Sequence, residues 1–327
     1  MRRDVLLAFG VLIALWGSSF AVVKVGLEVS PPLLFAGLRA MVGGAVMLLV
    51  ARMFGGKPNF RRNAGAFVAL TLLNVVFFIG FQTFAIMSLP SGLAAVLVYL
   101  QPVLVGLLAW RFLGEGLSGV KVSGLLLGFF GIAVVSLGGL ASGVGGTTAS
   151  GVLFGVLSAF FWACGTVYFK RVQDRVSPLW SVAVPFFAGG VVLSLLGLLT
   201  ESVSDVELGA VYLGSLAYSS LAGISASWLI WFALVGAGEA SRVSAYIFAV
   251  PLSAVVVGVV VLGEELHASL VFGGALVLLG IYLVNRSPVT RPPVTRPPVD
   301  RSRVNRSALS DKLSADRERD RKSEEPW

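Results

Sequence analysis

In a chain that is 56% hydrophobic and only 13% charged, the side chains able to do chemistry are few, and where they stand carries most of the information. Arg39 lies about seven residues inside an apolar run, roughly 10 Å deep at 1.5 Å per helical residue. A guanidinium there either anchors an anionic group on a solute, such as a carboxylate, or snorkels to the interface and pairs with an acid such as Glu28. Asn74, Phe78 and Gln82 follow at i, i+4 and i+8 on an otherwise apolar stretch. Unpaired amides facing lipid cost several kcal/mol, so this stripe faces either protein or a water-filled cavity. Ser220, Ser227 and Trp231, at i, i+7 and i+11, make a second stripe of the same kind, with interhelical hydrogen bonding as the alternative to cavity lining.

Two further sets recur. Trp16, Phe20 and Lys24 are matched 146 residues later by Trp162, Thr166 and Lys170. The tryptophans are either aromatic walls of a cavity or part of an interfacial belt, and a position about twelve residues into each run argues against the belt. Pro102 and Pro251, 149 residues apart, each remove an intrahelical hydrogen bond and kink a helix, with Tyr99 and Phe248 one turn before them. A kink at mid-depth in both copies is either the bend of a solute path or an inert kink filled by packing.

Other chemistries lack their groups. The acids of the body sit at run ends or in loops, so no carboxylate at mid-depth can take and release a proton. No run carries paired aspartates, a serine with a base or a histidine-rich metal site, which argues against an intramembrane enzyme. With one cysteine and one histidine, Cys164 reads as a small buried hydrophobe and His267 as a solvated loop residue. Neither a metal nor a cofactor is expected.

A mean hydropathy of +0.89 makes this a membrane chain. Runs long enough to cross about 30 Å of hydrocarbon cover roughly 5–25, 33–53, 64–88, 91–112 and 120–137, then 151–169, 179–199, 208–235, 241–262 and 269–284. The signal-peptide look of the first is outweighed by the recurrence of Trp16 and Lys24 in mid-chain. Residues 91–135 and 240–284 match without gaps at a spacing of 149, through Pro102 and Pro251, Gly114-Glu115 and Gly263-Glu264, Gly124 and Gly273, Gly131 and Gly280. That is an internal duplication. Five crossings are odd, so the second copy enters the bilayer upside down and the fold is an all-α membrane protein of ten helices in two inverted repeats. The repeats are 1–138 and 151–286, joined by an uncharged Gly/Ser/Thr linker at 139–150. Leu113-Gly114-Glu115 and its copy read as structural, a glycine ending one helix and a glutamate at the positive start of the next. Gly124 and Gly128 form GxxxG, a close-packing motif.

The net charge of +8 carries no nucleic-acid signal, because 11 of the 25 Lys and Arg lie from Arg286 onward. That tail, 287–327, opens on a Pro/Val/Thr/Arg repeat and reads as disordered and cytoplasmic, either solvated or held by its arginines against anionic lipid. With the amino terminus inside, the inner loops carry Arg52, Lys57, Arg61, Arg62, Arg111, Lys121, Lys170, Arg171 and Arg175, and both termini are cytoplasmic.

The chain resembles the EamA type of the drug/metabolite transporter superfamily. The likeness rests on Trp16-Gly17-Ser18-Ser19-Phe20, Arg39, Pro102, Leu113-Gly114-Glu115, Gly124 and Gly131, with Pro251, Leu262-Gly263-Glu264, Gly273 and Gly280 in the second copy. It covers residues 1 to about 286 and departs at Pro90, where the family usually has a small or hydroxyl residue. The resemblance implies alternating access around a cavity lined mainly by helices 1, 3, 4, 6, 8 and 9, and export of amino acids or similar metabolites from an inner membrane. Trp16, Tyr99, Trp162 and Phe248 would give apolar walls, Asn74 and Gln82 hydrogen bonds, and Arg39 a counter-charge. A receptor or scaffold is the competing class, though opposed halves have no evident use in one.

Overall fold

The computed structural model describes residues 3–56, 58–89, 91–138, 149–253 and 268–287, and all its long elements are helices. In chain order they are α1 (Arg3–Glu28), α2 (Pro32–Phe54), α3 (Phe60–Ser88), α4 (Ser91–Val98), α5 (Gln101–Leu113), α6 (Gly119–Gly138), α7 (Ala149–Val172), α8 (Pro178–Thr200), α9 (Ala210–Ala237), α10 (Ala240–Tyr246) and α11 (Ala268–Arg286). Seven helices among the described residues are long and apolar enough to cross a bilayer, the stretch Val96–Leu113 counted as one of them. Two shorter apolar helices match the fifth and tenth runs, and the ninth run lies partly outside the described residues. Large apolar side chains such as Leu49, Trp110, Leu153, Leu195 and Leu278 point outward, as a lipid-facing surface requires.

Glycines set the closest contacts, and the contacts come in exchanged pairs. A Cβ on Gly44 of α2 would fall on the backbone of Phe187 in α8, and one on Gly190 would fall on the backbone of Met41. Residues 44 and 190, like 41 and 187, differ by 146, so each contact is the other with the copies swapped. In α6 and α11, Gly124 meets Gly280 and Gly131 meets Gly273, again exchanged, at a spacing of 149. In both pairs one number rises as the other falls, so equivalent helices lie antiparallel. Their ends are tied as well. The Glu201 carboxylate at the end of α8 accepts from the Leu33 and Leu34 amides at 2.8 and 2.9 Å, satisfying the open start of α2. At the other end Trp180 Nε1 donates to the Gly55 carbonyl at 3.0 Å.

Two features depart from regular helix. The fourth run is broken at Tyr99 and Leu100, three residues before Pro102, and the ninth at Ile247 and Phe248, just before Pro251. There the backbone switches to i to i+3 bonds such as Leu100 N to Leu97 O and Phe248 N to Ala245 O. Second, α3 and α9 each widen into a π segment, Leu72–Phe77 and Ser219–Ala226, which the sequence periodicity does not anticipate. Gly43 packs on the Ser220 carbonyl in the π segment of α9, and Gly189 on the Val75 side chain in that of α3.

Several expectations need revising. Helix α7 begins at Ala149, inside the expected linker, and Cys164 is half-buried, because its face of α7 is not fully covered. Gly114 does end α5 in a left-handed conformation, φ 69°, but Glu115 does not start α6, where Ser118 Oγ instead accepts from Lys121 N at 3.2 Å. Pro90, residues 139–148, Gly263-Glu264, His267 and the tail from 288 lie outside the described residues.

Candidate functional site

The first copies of the runs and their equivalents meet around a small cavity walled by α1, α2, α3, the α4–α5 break, α7 and α9. Its surface is mostly apolar, with the rings of Trp16, Phe78, Tyr99, Trp162 and Trp228 beside Val23, Ile79, Ile86 and Ile224. The polar side chains that reach it are Ser19, Arg39, Gln82 and Tyr99. From Phe78 to Ile86 it follows two turns of α3, about 12 Å of depth. A second depression of about 810 Å³, with Glu28, Met87, Glu201 and Asp205 on its rim, lies at the same end of the molecule.

The rings support one another. Trp162 packs edge-on to Trp16 at 5.3 Å, stacks on Phe78 at 4.9 Å and meets Tyr99 at 6.1 Å and Trp228 at 6.2 Å, all centroid distances. These are ordinary separations for aromatic pairs, so the cluster is a packed floor. Trp16 and Trp162 are both buried, which removes the reading as an interfacial belt. Trp231 lies behind Trp16 and Trp162 at 5.6 and 5.9 Å and is fully buried.

Arg39 is buried, with Nε unpartnered, and makes none of the ion pairs among the described residues. Glu28 is exposed and does not pair with it. The guanidinium therefore stands at the cavity as a cation without an acid beside it among the described residues.

Of the other residues expected from sequence, Phe78, Gln82, Tyr99, Trp16 and Trp162 reach the cavity, while Asn74, Thr166, Ser227, Trp231 and Phe248 do not. Asn74 and Ser227 are displaced by the π segments. An extra residue in a turn rotates the rest of the helix by about 100°, so a stripe drawn at strict α spacing across it changes face. Thus Trp228, not Trp231, lines the cavity, and Ser227 donates to Ala222 O at 2.5 Å. Asn74 sits against Gly165 of α7, fully buried, with both amide atoms unpartnered. Close by, Gln101 Nε2 donates to Thr166 Oγ1 at 3.2 Å and Thr166 to the Trp162 carbonyl at 2.9 Å. Gln101 carries no periodic signal in the sequence; an amide side chain one residue before a proline in an apolar run is the available clue. Phe248 packs on Gly128 instead, because equivalent positions of opposed copies face opposite ends and this cavity extends toward only one.

At the end that carries Lys121 and Lys170, side chains pack and pair between the helices. Phe169 and Phe232 stack at 4.2 Å, and Lys170 Nζ donates to the Val235 and Gly236 carbonyls at 2.9 Å, capping α9. Beyond them, the Glu115 carboxylate accepts from the amides of Ala240 and Ser241 and from the Ser241 hydroxyl at the start of α10. Buried Lys121 bridges Glu115 at 3.6 Å and Glu239 at 3.4 Å, and Arg242 pairs with Glu239 at 2.7 Å while donating to the Asn285 and Ser287 carbonyls. This network links the α5–α6 loop of one copy to α10 and α11 of the other.

Comparison with known proteins completes the site's context. The EamA-like transporter family matches twice, over residues 4–137 and 149–286. An uncharacterized transporter, YvbV of Bacillus subtilis, is 41% identical over 285 residues, 87% of this chain and 92% of that one. A probable amino-acid metabolite efflux pump of Escherichia coli is 27% identical over 86% of this chain and 94% of its own. A solved crystal structure shares the fold with a TM-score of 0.73 at 22% identity, over 86% of this chain and 96% of that one.

Proposed function

Because the chain belongs to the EamA-like transporter family, we propose that this multi-pass membrane transporter moves a small organic solute, an amino acid or similar metabolite, outward across a cytoplasmic membrane. The carrying observation is the cavity itself: apolar, with few polar groups, at the meeting of antiparallel equivalent helices. Ten crossings in two inverted repeats, with the basic end and both termini inside, account for the exchanged glycine contacts and for the loop charges. In this arrangement the cavity faces outward, and rocking of the copies about their glycine seams would open the basic end. Trp16, Phe78, Tyr99, Trp162 and Trp228 hold the apolar body of the solute and Gln82 bonds its polar group. Asn74, Gln101 and Thr166 lie one turn further in, where a solute would meet them as the inner half opens.

The experiment is counterflow in proteoliposomes across a panel of radiolabelled amino acids and their derivatives. Gln82→Leu is expected to lower the initial rate for the accepted solute about five- to tenfold with unchanged expression, since an amide hydrogen bond contributes about 1–1.5 kcal/mol; unchanged flux removes Gln82 from the site. The glutamate network gives a second test. Glu115→Gln is expected to raise labelling of a cysteine at Ser244, in a Cys164→Ser background, by about tenfold from the cytoplasmic side, the change that about 1.4 kcal/mol brings. Labelling at the wild-type rate would place the inner closure elsewhere.

A further inference from the structure

The charge of the cavity narrows the solute. Among the described residues that line it, Arg39 is the one ionised side chain, and the guanidinium has no ion-pair partner among the described residues. Symmetry gives the scaffold no need for it: the 146-residue spacing sets Pro185 of α8 where α2 has Arg39. A buried cation is expensive unless an anion joins it. Resting on the transporter reading above, we infer that the cavity takes an organic monoanion, a carboxylate set against Arg39 with a flat apolar body among Trp16, Trp162, Trp228 and Phe78, and discriminates against solutes that carry a free ammonium.

A small organic solute with an apolar body can be a cation, a zwitterion or an anion. A cation finds tryptophan faces that attract it, but it shares the cavity with Arg39, and two like charges about 10 Å apart lose roughly tenfold in binding even at an effective dielectric of about 20. A zwitterion satisfies Arg39 with its carboxylate and then strips its ammonium of water with no acid among the described lining residues to receive it. The monoanion satisfies Arg39 and leaves nothing else charged. An N-acylated or 2-oxo derivative of an aromatic amino acid has this form. Its charge also supplies a driving force: an anion leaving a cell with an interior 100 mV negative is favoured about 50-fold by the potential alone, so net-charged export needs no proton-carrying carboxylate in the cavity.

Three solutes with the same ring separate the cases: N-acetylphenylalanine (anion), phenylalanine (zwitterion) and phenethylamine (cation), titrated against the tryptophan fluorescence of the purified full chain and then assayed for flux. N-acetylphenylalanine is expected to bind at least tenfold more tightly than either of the others, and an inside-negative potassium diffusion potential to accelerate its efflux. Arg39→Gln is expected to abolish that preference while Arg39→Lys retains part of it; the ranking on wild-type protein stands as the test even where a variant does not fold. Phenylalanine bound and moved as well as its acetyl derivative overturns the anion assignment and leaves the transporter reading intact. No response to any of the three also overturns the assignment, and the transporter reading then stands or falls on the amino-acid panel alone.

Discussion

Trp162→Ala is expected to lower counterflow at least a hundredfold while Trp162→Phe retains most of it. Trp162 is the ring on which the cavity converges: it touches Trp16, Phe78, Tyr99, Trp228 and Trp231. Removing a buried tryptophan costs about 3–5 kcal/mol where neighbours cannot collapse, and here the neighbours are rings already in contact with one another. The loss would also open the floor between the cavity and the unpartnered amide of Asn74 one turn below. Packing and binding are separated by a second variant. Trp231→Ala removes a side chain of the same size, equally buried, that does not line the cavity. It is expected to lower the melting temperature in detergent about as much as Trp162→Ala while leaving the apparent affinity for the accepted solute near wild type. Equal losses of affinity in the two alanine variants would mean that the aromatic cluster acts only as core.

Trp16 and Trp162 are legible in the sequence because both lie in unbroken α-helix, where spacing fixes the face. The prolines are legible because a missing amide proton has a local effect that needs no partner. The stripes on α3 and α9 are legible only in part. Phe78 and Gln82 lie after the π segment and keep α spacing, so they reach the cavity together; Asn74 lies within it and turns toward Gly165. No residue in Leu72–Phe77 or Ser219–Ala226 announces a π turn, and in the fold these segments lie against Gly189 and Gly43 of other helices. Glu115 reads from sequence as a local helix-start residue because nothing near it names Ala240 and Ser241, which lie 125 and 126 residues away. Local chemistry is written locally; pairing across the two copies becomes visible once the copies are docked.

That docking is itself open to a direct test, because the pseudo-symmetry predicts equal damage at two distant sites. Gly44→Ala and Gly190→Ala each place a methyl group on the backbone of the facing helix, at Phe187 and Met41 respectively. Neither obstacle is a side chain able to swing away, so α2 and α8 must separate along their length. Overpacking of this kind costs about 1–3 kcal/mol and sometimes more, and in lipid close approach of small residues is a principal source of helix association. Both variants are expected to lose most of their monodisperse protein after extraction, and by similar amounts. Gly128→Ala is expected to do less harm, since the atoms nearest a Cβ there belong to the ring of Phe248 and not to backbone. Gly10→Ala and Gly214→Ala meet nothing within 4 Å and are expected to be neutral or slightly stabilising, as the better helix former replaces the poorer. If Gly44→Ala were severe and Gly190→Ala silent, the two contacts would not be copies of one another, and the exchange of the halves on which the transport reading depends would fail with them.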